Sequence, residues 1–564
     1  MKRFLQLFLT VALLGLPVLG FAADKKADPK AGAAMTAPAV PEVTDLSATG
    51  GNKSVVLKWK DPAGATAFKI LYAGSDGKPV SQDAKPKDGE AGVTLSAGIV
   101  NAESVEFTVK TLVGERSSEG TKASATTFAL DTGATAWMLT SAAIVLMMTV
   151  PGLALFYGGM VRRKNILATM AYSYGASLIV SIVWVVVQYS MAFSSNLDPV
   201  GFVGDFAKSF SNGVIYLAGG DVSAAKVPLW GSTGVPESVF SMFQLMFAII
   251  TVALISGSIV ERMAFGAWMI FSVLWSLIVY APLAHMVWGG GFLSDMNNGI
   301  AHTLGLKGNA LDFAGGLVVH ISSGVSALVL ALLLGPRVRY GKDPIIPNNI
   351  AFTAIGAGLL WVGWFGFNAG SAVGSNGLAG SAFTVTNTAA AMAGLTWIVI
   401  EYIHHRKMTV VGISTGIVAG LVAITPASGF VDITGALVIG IAVSLVCYLF
   451  VAFVKKALKY DDSLDAFGVH AIGGTVGALL TGVFVNPAIG LYFDGSTPAS
   501  GLLFGNPGQF VIQAASVVIA WLWAIVGTLV CYGIVRIFTK VRVEPQEEVI
   551  GLDQTQHGEK QGDR

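Results

Sequence analysis

Charge and cysteine are both scarce in this 564-residue sequence. Charged residues make up 12% of it, and 35 Lys and Arg against 34 Asp and Glu leave a net charge of +1. That balance excludes the strongly basic surface on which nucleic-acid binding depends. The two cysteines, Cys447 and Cys531, lie in apolar stretches, so no disulfide framework is predicted. No nucleophile-and-base pair or metal-ligand cluster is recognisable, so we predict neither an enzyme nor a bound metal or cofactor.

Apolar residues, by contrast, are abundant. Hydrophobic residues account for 53% of the chain and glycine for 68 positions, a composition typical of membrane proteins. After Asp131, about eleven apolar segments are each long enough to cross a bilayer with some tilt. Their approximate centres are Val145, Val183, Ala248, Leu274, Ser326, Leu359, Ala393, Val418, Ser444, Gly474 and Ile525. The sequence therefore predicts an all-α polytopic membrane domain at residues 131–540.

Basic residues predict the orientation of these segments. If the spans alternate in direction, all of the following fall on one side: Arg162 to Lys164, Arg262, Arg337 with Arg339 and Lys342, Arg406 with Lys407, Lys455 with Lys456 and Lys459, and Lys540 with Arg542. Cytoplasmic connections are enriched in Lys and Arg, so we predict that this side faces the cytoplasm. An odd number of spans then places the N-terminus outside the cell inner (plasma) membrane and a tail at residues 541–564 in the cytoplasm.

Two short segments, residues 1–23 and 24–40, come first in the chain. Residues 1–23 follow the secretory pattern of a basic start, an apolar core and small residues at a cleavage site, and predict a signal peptide. An uncleaved membrane anchor is the alternative, although the apolar core is shorter than the ~20 residues that a span needs. Residues 24–40 are rich in Ala, Lys and Pro and predict a flexible linker.

Residues 41–128 predict a small all-β sandwich on the outer, periplasmic side. Short alternating segments such as SVVLKWK and SVEFTVKTL are separated by Gly, Asp and Pro turns. The order of these segments, including Leu57-Lys58-Trp59 and Phe107-Thr108-Val109, resembles a fibronectin type III domain. Trp59 is expected to fill the core between the two sheets.

Two histidines lie within apolar segments, His320 in the fifth and His470 in the tenth. Because an ionisable side chain in the bilayer core costs roughly 2.5 to 3.5 kcal/mol, the pair predicts a polar path across the membrane, with isolated core histidines as the alternative. Both begin a His-x-x-x-Gly pattern that ends at Gly324 and Gly474. Five spans separate the two, so we predict an inverted five-plus-five repeat that brings the histidines together.

An acidic residue precedes each histidine. Asp312 is expected to cap the helix of His320, because a carboxylate there can accept backbone N–H groups and interact favourably with the helix dipole. We predict that Asp465, five residues before His470, is its structural counterpart in the second half.

Several ordered motifs carry a family resemblance. They are Pro151 to Gly159, Arg163 to Asn165, His285 to Gly291, Leu311 to His320, Gly363 to Ala372, Thr425-Pro426 and Ala466 to His470. From about Asp131 to Gly558 the chain resembles the ammonium transporters of the Amt/Rh family, and its bacterial Amt branch in particular, because Trp288 and Ser371 match that branch. The β-domain departs from the usual family plan.

The resemblance implies roles for individual residues. Phe247, Trp288 and Ser371 would recruit ammonium at the outer face, and Phe247 would stack with Phe367 as a gate. Below the gate, His320 and His470 would line the pore. Two further residues follow from the same likeness: Trp364 would line or pack the path, and Asp312 would have an electrostatic or structural role. On residue type alone, the aromatic residues could equally be interfacial or core residues, and Ser371 a helix-packing residue.

The resemblance also implies a mechanism and partners. Ammonium, with methylammonium as an analogue, would lose a proton and cross the lipid bilayer as ammonia, with the proton moving separately or not at all. The family further implies a homotrimer and a possible PII-type regulatory protein at the cytoplasmic face, which belongs to nitrogen regulation. By residue type alone, the polar tail is expected to be a disordered end. An ammonium sensor or receptor whose exported β-domain binds a partner is the alternative function.

Overall fold

A computed structural model describes residues 39–51, 54–74, 77–87, 90–97, 99, 104–126, 130–215, 227–231, 233–489 and 498–560. The chain divides into two compact units, Met1–Ala129 and Leu130–Arg564. The predicted signal peptide and all but the last two residues of the predicted linker lie outside the described residues.

The first unit contains two antiparallel β-sheets around one core. Its strands are β1 (Thr44–Gly51), β2 (Ser54–Lys60), β3 (Ala67–Ala73), β4 (Pro79–Ala84), β5 (Glu90–Leu95), β6 (Ser104–Val113), β7 (Arg116–Ser117) and β8 (Thr121–Thr126). One sheet has the order β1-β2-β5, and the other has β4-β3-β6-β7 with β8 also paired to β6. The buried Trp59 packs edge-on against Phe68, at 5.2 Å between ring centroids, so the core has the aromatic centre that the alternating pattern predicts.

The second unit is a set of apolar helices. They are α1 (Thr132–Met160), α2 (Arg163–Phe193), α3 (Glu237–Ile259), α4 (Phe265–Trp288), α5 (Gly316–Leu334), α6 (Ile350–Gly370), α7 (Gly377–His405), α8 (Val410–Ile424), α9 (Ile433–Leu458), α10 (Phe467–Phe484) and α11 (Pro507–Phe538). Within the described ranges, ten of these are long and apolar enough to span a membrane, and α8 is shorter. The predicted fold, a polytopic helical membrane protein with a small β region before it, is confirmed.

The connections that follow α1, α3, α5 and α9 meet in one buried network of charges. The guanidinium group of Arg337 lies 2.8 Å from Glu261 and 2.8 Å from Asp461, while Arg162 and Arg262 each approach one of these carboxylates at 2.9 Å. Burial raises the pKa of the Glu261 carboxyl, but Arg337 and Arg162 outweigh that effect and hold the pKa below its usual value. We call this side of the unit the basic end.

The polar tail is folded against the basic end, so the expectation of a disordered end is wrong. It forms α12 (Pro545–Ile550) and α13 (Leu552–His557). The Asp553 carboxylate accepts the N–H of Ala168 at 2.8 Å, and Glu548 accepts the N–H of Val338 and an Arg542 guanidinium N–H. These side chains satisfy backbone donors in the first turns of α2 and in the connection after α5, and the buried Leu552 packs against Ala168, so the segment is ordered.

Helices α5 and α10 cross at glycines. A Cβ atom added at Gly324 would lie 2.2 Å from the backbone nitrogen of Ala471, and one added at Gly474 would lie 2.9 Å from the Gly316 carbonyl oxygen. Only the absence of a side chain permits such close approach of the two backbones. The His-x-x-x-Gly pattern therefore places each histidine one helical turn from a crossing point.

Candidate functional site

Two aromatic rings meet near the end of the helical unit opposite to the basic end. Phe247 of α3 lies edge-on to Trp288, the last residue of α4, with ring centroids 5.9 Å apart. The indole N–H of Trp288 donates to the Asp312 carbonyl oxygen at 2.7 Å, which fixes the orientation of the half-buried ring. Phe247 is buried and Trp288 is partly exposed, and the face of an aromatic ring such as the indole attracts small cations.

Ser371 lies immediately after α6 at the same end. Its hydroxyl donates to the carbonyl oxygen of Phe367 at 2.8 Å and is half-buried. With its proton engaged in that bond, the hydroxyl oxygen keeps its lone pairs for an incoming N–H donor.

Phe247 and Phe367 form a closed stack. Their ring centroids are 4.0 Å apart, the planes are inclined by only 15°, and both residues are buried. A face-to-face pair of this kind leaves no gap for water between the rings.

The two histidines lie directly below the stack and touch each other. His320 is 6.2 Å from Phe367 between ring centroids, and the Nδ1 atoms of His320 and His470 are 3.3 Å apart. One imidazole must carry the proton of this hydrogen bond and the other must accept it, so the pair includes at least one neutral ring. In the described part of the chain, no polar atom lies within hydrogen-bonding distance of Nε2 of the buried His320.

Trp364 forms one wall beside the histidines. Its ring is stacked on His320 at 5.4 Å, and its indole N–H donates to the hydroxyl of Thr425 at 2.8 Å. The predicted residues Phe247, Trp288, Phe367, His320, Trp364 and His470 thus form a continuous series of ring contacts. The sequence did not predict that Thr425 accepts this hydrogen bond, although the Thr425-Pro426 motif marked its position.

Asp312 caps the helix that carries His320. Its two carboxylate oxygens accept four backbone N–H groups, from Gly315, Gly316, Leu317 and Val318, at 2.5 to 3.2 Å. All four free donors of the first turn of α5 are therefore satisfied by a single buried side chain. This geometry holds the first turn, a wide π-helical one that contains His320, in place.

The prediction that Asp465 is the counterpart of Asp312 is wrong, because Asp462 takes that place. Asp462 accepts the N–H groups of Ala466 at 3.1 Å and Phe467 at 2.9 Å, the same sequence offsets at which Asp312 accepts from Gly316 and Leu317. The spacing of 150 residues between the histidines would have identified it, since the two aspartates are equally far apart.

Asp465 instead corresponds to Gly315. Both have a positive φ, 59° and 116°, just before a π-helical turn. The Asp465 carboxylate pairs with Lys455 at 2.7 Å. This ion pair lies at the beginning of the second histidine segment and was not predicted.

Comparisons with known proteins agree on one family. Residues 136–562 match the model of the Ammonium Transporter Family. An ammonium transporter from Aquifex aeolicus is 49% identical over 76% of this chain and 93% of its own length. Among solved structures, Mep2 of Saccharomyces cerevisiae is 35% identical, with a TM-score of 0.64 over 74% of this chain and 91% of that one. A structure titled "Sensor Amt Protein" is 28% identical, with a TM-score of 0.63 over 75% of this chain and 97% of that one.

Proposed function

This chain belongs to the ammonium transporter family, and we propose that it captures ammonium at the Phe247, Trp288 and Ser371 group, removes a proton and conducts ammonia past His320 and His470. The observation that carries this proposal is the position of the histidine pair. It lies directly under the Phe247–Phe367 stack, and Nε2 of His320 is free to contact a molecule in the path.

Capture depends on replacing the hydration of a small cation. Ring faces attract a cation with about 0.5 to 2 kcal/mol, depending on desolvation, and the oxygen of Ser371 can accept one N–H bond. Water is not attracted to an aromatic face in the same way, so these groups select for the cation. Asp312 lies next to Trp288, because its backbone carbonyl oxygen accepts the indole N–H. The negative charge of its buried carboxylate favours a cation at this site.

Deprotonation follows from the apolar character of the path. Moving the intact ion between buried rings would desolvate a full charge, which costs at least several kcal/mol, whereas neutral ammonia avoids that cost. The imidazole pair offers the proton a separate route, because each ring nitrogen can take up or release a proton. We therefore propose that ammonia and the proton cross the same constriction as separate species.

Transport by the purified full-length protein in proteoliposomes tests this function. We expect saturable uptake of labelled methylammonium that ammonium inhibits, together with an ammonium-dependent current on solid-supported membranes. Absence of current with intact uptake would exclude the separate movement of the proton and leave an ammonia channel. Absence of both would contradict the proposed function.

Replacing Trp288 by leucine is expected to weaken capture without stopping conduction. Loss of about 0.5 to 2 kcal/mol of cation–π attraction raises the half-saturating methylammonium concentration roughly 2- to 30-fold, with a nearly unchanged maximal rate. Trp137→Leu is a matched control, because its indole also donates to a carbonyl oxygen, that of Ala369 at 3.3 Å. An equal effect of both changes would contradict a specific role for Trp288.

We extend the proposal to topology and partners, on the basis of the family likeness. We propose that the basic end faces the cytoplasm, that the chain lies in the inner membrane as a homotrimer, and that a PII-type protein can bind at the folded tail. We also propose that a signal peptide at residues 1–23 exports residues 41–128 as a fibronectin type III-like domain. Two antiparallel sheets around the buried Trp59 support that assignment.

A further inference from the structure

A second group of aromatic rings surrounds a charge that belongs to the chain itself. The ammonium nitrogen of Lys208, in the connection between α2 and α3, lies 5.6 Å from the centroid of the Tyr189 ring and 5.4 Å from that of Trp230. It donates to the carbonyl oxygen of Phe193 at 3.1 Å and forms an ion pair with Glu237. None of these residues belongs to the ring series that leads to the histidines.

The side chains of this group are fixed by several contacts and are largely shielded from solvent. The side chains of Lys208 and Glu237 are 26% and 10% exposed. The Tyr189 hydroxyl donates to the same carboxylate at 2.8 Å, and Trp230 is stacked on Phe240 at 3.9 Å. The carboxylate and both rings are therefore held in place by contacts other than those with Lys208.

The groups that face the nitrogen are a carboxylate, a carbonyl oxygen and two ring faces. Three N–H donors and a positive charge match that set, and a hydroxyl or an alkali cation does not match it as well. We propose that Tyr189, Phe193, Trp230 and Glu237 form a binding site for a primary alkylammonium, and that Lys208 is its resident ligand. We call it the lysine cage.

The lysine cage links the α2–α3 connection, through Lys208, to Glu237, the first residue of α3. An ordinary surface ion pair would contribute little, because both partners are hydrated and mobile. Here, removal of the ammonium group leaves the Glu237 carboxylate, 10% exposed, with the Tyr189 hydroxyl as its one remaining partner among the described residues, which is costly. Lys208 thus acts as a tethered ligand that holds the outer end of the helix carrying Phe247.

Chemical rescue of Lys208→Ala tests the proposal. Alanine retains Cβ, so n-propylammonium supplies the three missing methylenes and the nitrogen. We expect the melting temperature of the purified full-length variant to fall by several degrees and to rise again with n-propylammonium, by more than the same compound raises that of the wild type. Binding to the folded state alone raises the melting temperature in this way.

Three comparisons make the result decisive. Lys208→Met fills the space without the charge and should be destabilised but not rescued. Lys208→Ala combined with Glu237→Gln should lose the rescue. Lys307→Ala, which removes an exposed lysine at the same end, should melt like the wild type.

Two results obtained with folded variants would overturn the proposal. One is a melting temperature of Lys208→Ala or Lys208→Met equal to that of the wild type. The other is rescue by n-propanol as complete as rescue by n-propylammonium. If Lys208→Ala folds only when n-propylammonium is present during purification, the proposal is supported, and if it fails to fold with and without the compound, the proposal is rejected. Because the readout is stability, the outcome does not depend on whether the chain transports ammonium.

Discussion

Replacing His320 by alanine is expected to lower methylammonium uptake in proteoliposomes by roughly tenfold to a hundredfold. The substitution leaves the Nδ1 atom of His470 without its partner at 3.3 Å and removes the ring on which Trp364 is stacked. An unpaired polar group in an apolar site costs about 1 to 3 kcal/mol, and the proposed path loses the imidazole nitrogens that we expect to receive ammonia. Initial uptake rates at saturating methylammonium measure the effect.

Two further histidine variants separate chemistry from packing. His320→Phe restores a ring of similar size without hydrogen-bonding atoms, and we expect it to be as defective as alanine. His302→Ala removes an exposed histidine from the connection between α4 and α5 and should transport normally. Wild-type uptake by His320→Phe would show that the ring only fills space and would refute a role for the imidazole nitrogens.

Replacing Asp312 by asparagine is expected to destabilise the helical unit by roughly 2 to 6 kcal/mol and to reduce transport in proportion to the protein that remains folded. The carboxylate accepts four backbone N–H groups, two at each oxygen. An amide nitrogen accepts none, so two buried donors lose their partners at about 1 to 3 kcal/mol each. Thermal unfolding of the purified protein measures the loss.

Asp131→Asn provides the matched control. Asp131 is also an N-cap, but within the described residues its carboxylate accepts a single backbone N–H, that of Ala134 at 2.8 Å. Asparagine caps a single donor about as well as aspartate, so this change should cost little. Equal melting temperatures for Asp312→Asn and the wild type would disprove the structural role assigned to Asp312.

The histidine pair could be predicted because both the histidines and the glycines that follow them are informative. An ionisable group in an apolar segment is rare, and a glycine four residues later marks a helix crossing. Phe247 and Phe367 carry no such signal, since phenylalanine is ordinary in an apolar helix. Their assignment depended on the family motifs, and the stacked geometry is visible only in the structure.

The errors have physical causes of a similar kind. Asp465 follows a leucine as Asp312 does, and that local likeness concealed the equal spacing that identifies Asp462. The tail is mostly polar, with few apolar residues such as the buried Val543 and Leu552, so its order could not be inferred from composition. It depends on contacts such as that of Asp553 with Ala168, which are 385 residues apart in sequence.

The glycine crossing of α5 and α10 bears on how any molecule can move through this chain. A hypothetical Cβ at Gly324 would lie only 2.2 Å from the neighbouring backbone, so the two helices are in direct backbone contact at this crossing. Rocking of one half against the other, as in alternating-access carriers, would have to break this junction. On the proposed route, we therefore expect rotation of single rings within a stationary frame to limit turnover, and the width of that frame to set the largest molecule that passes.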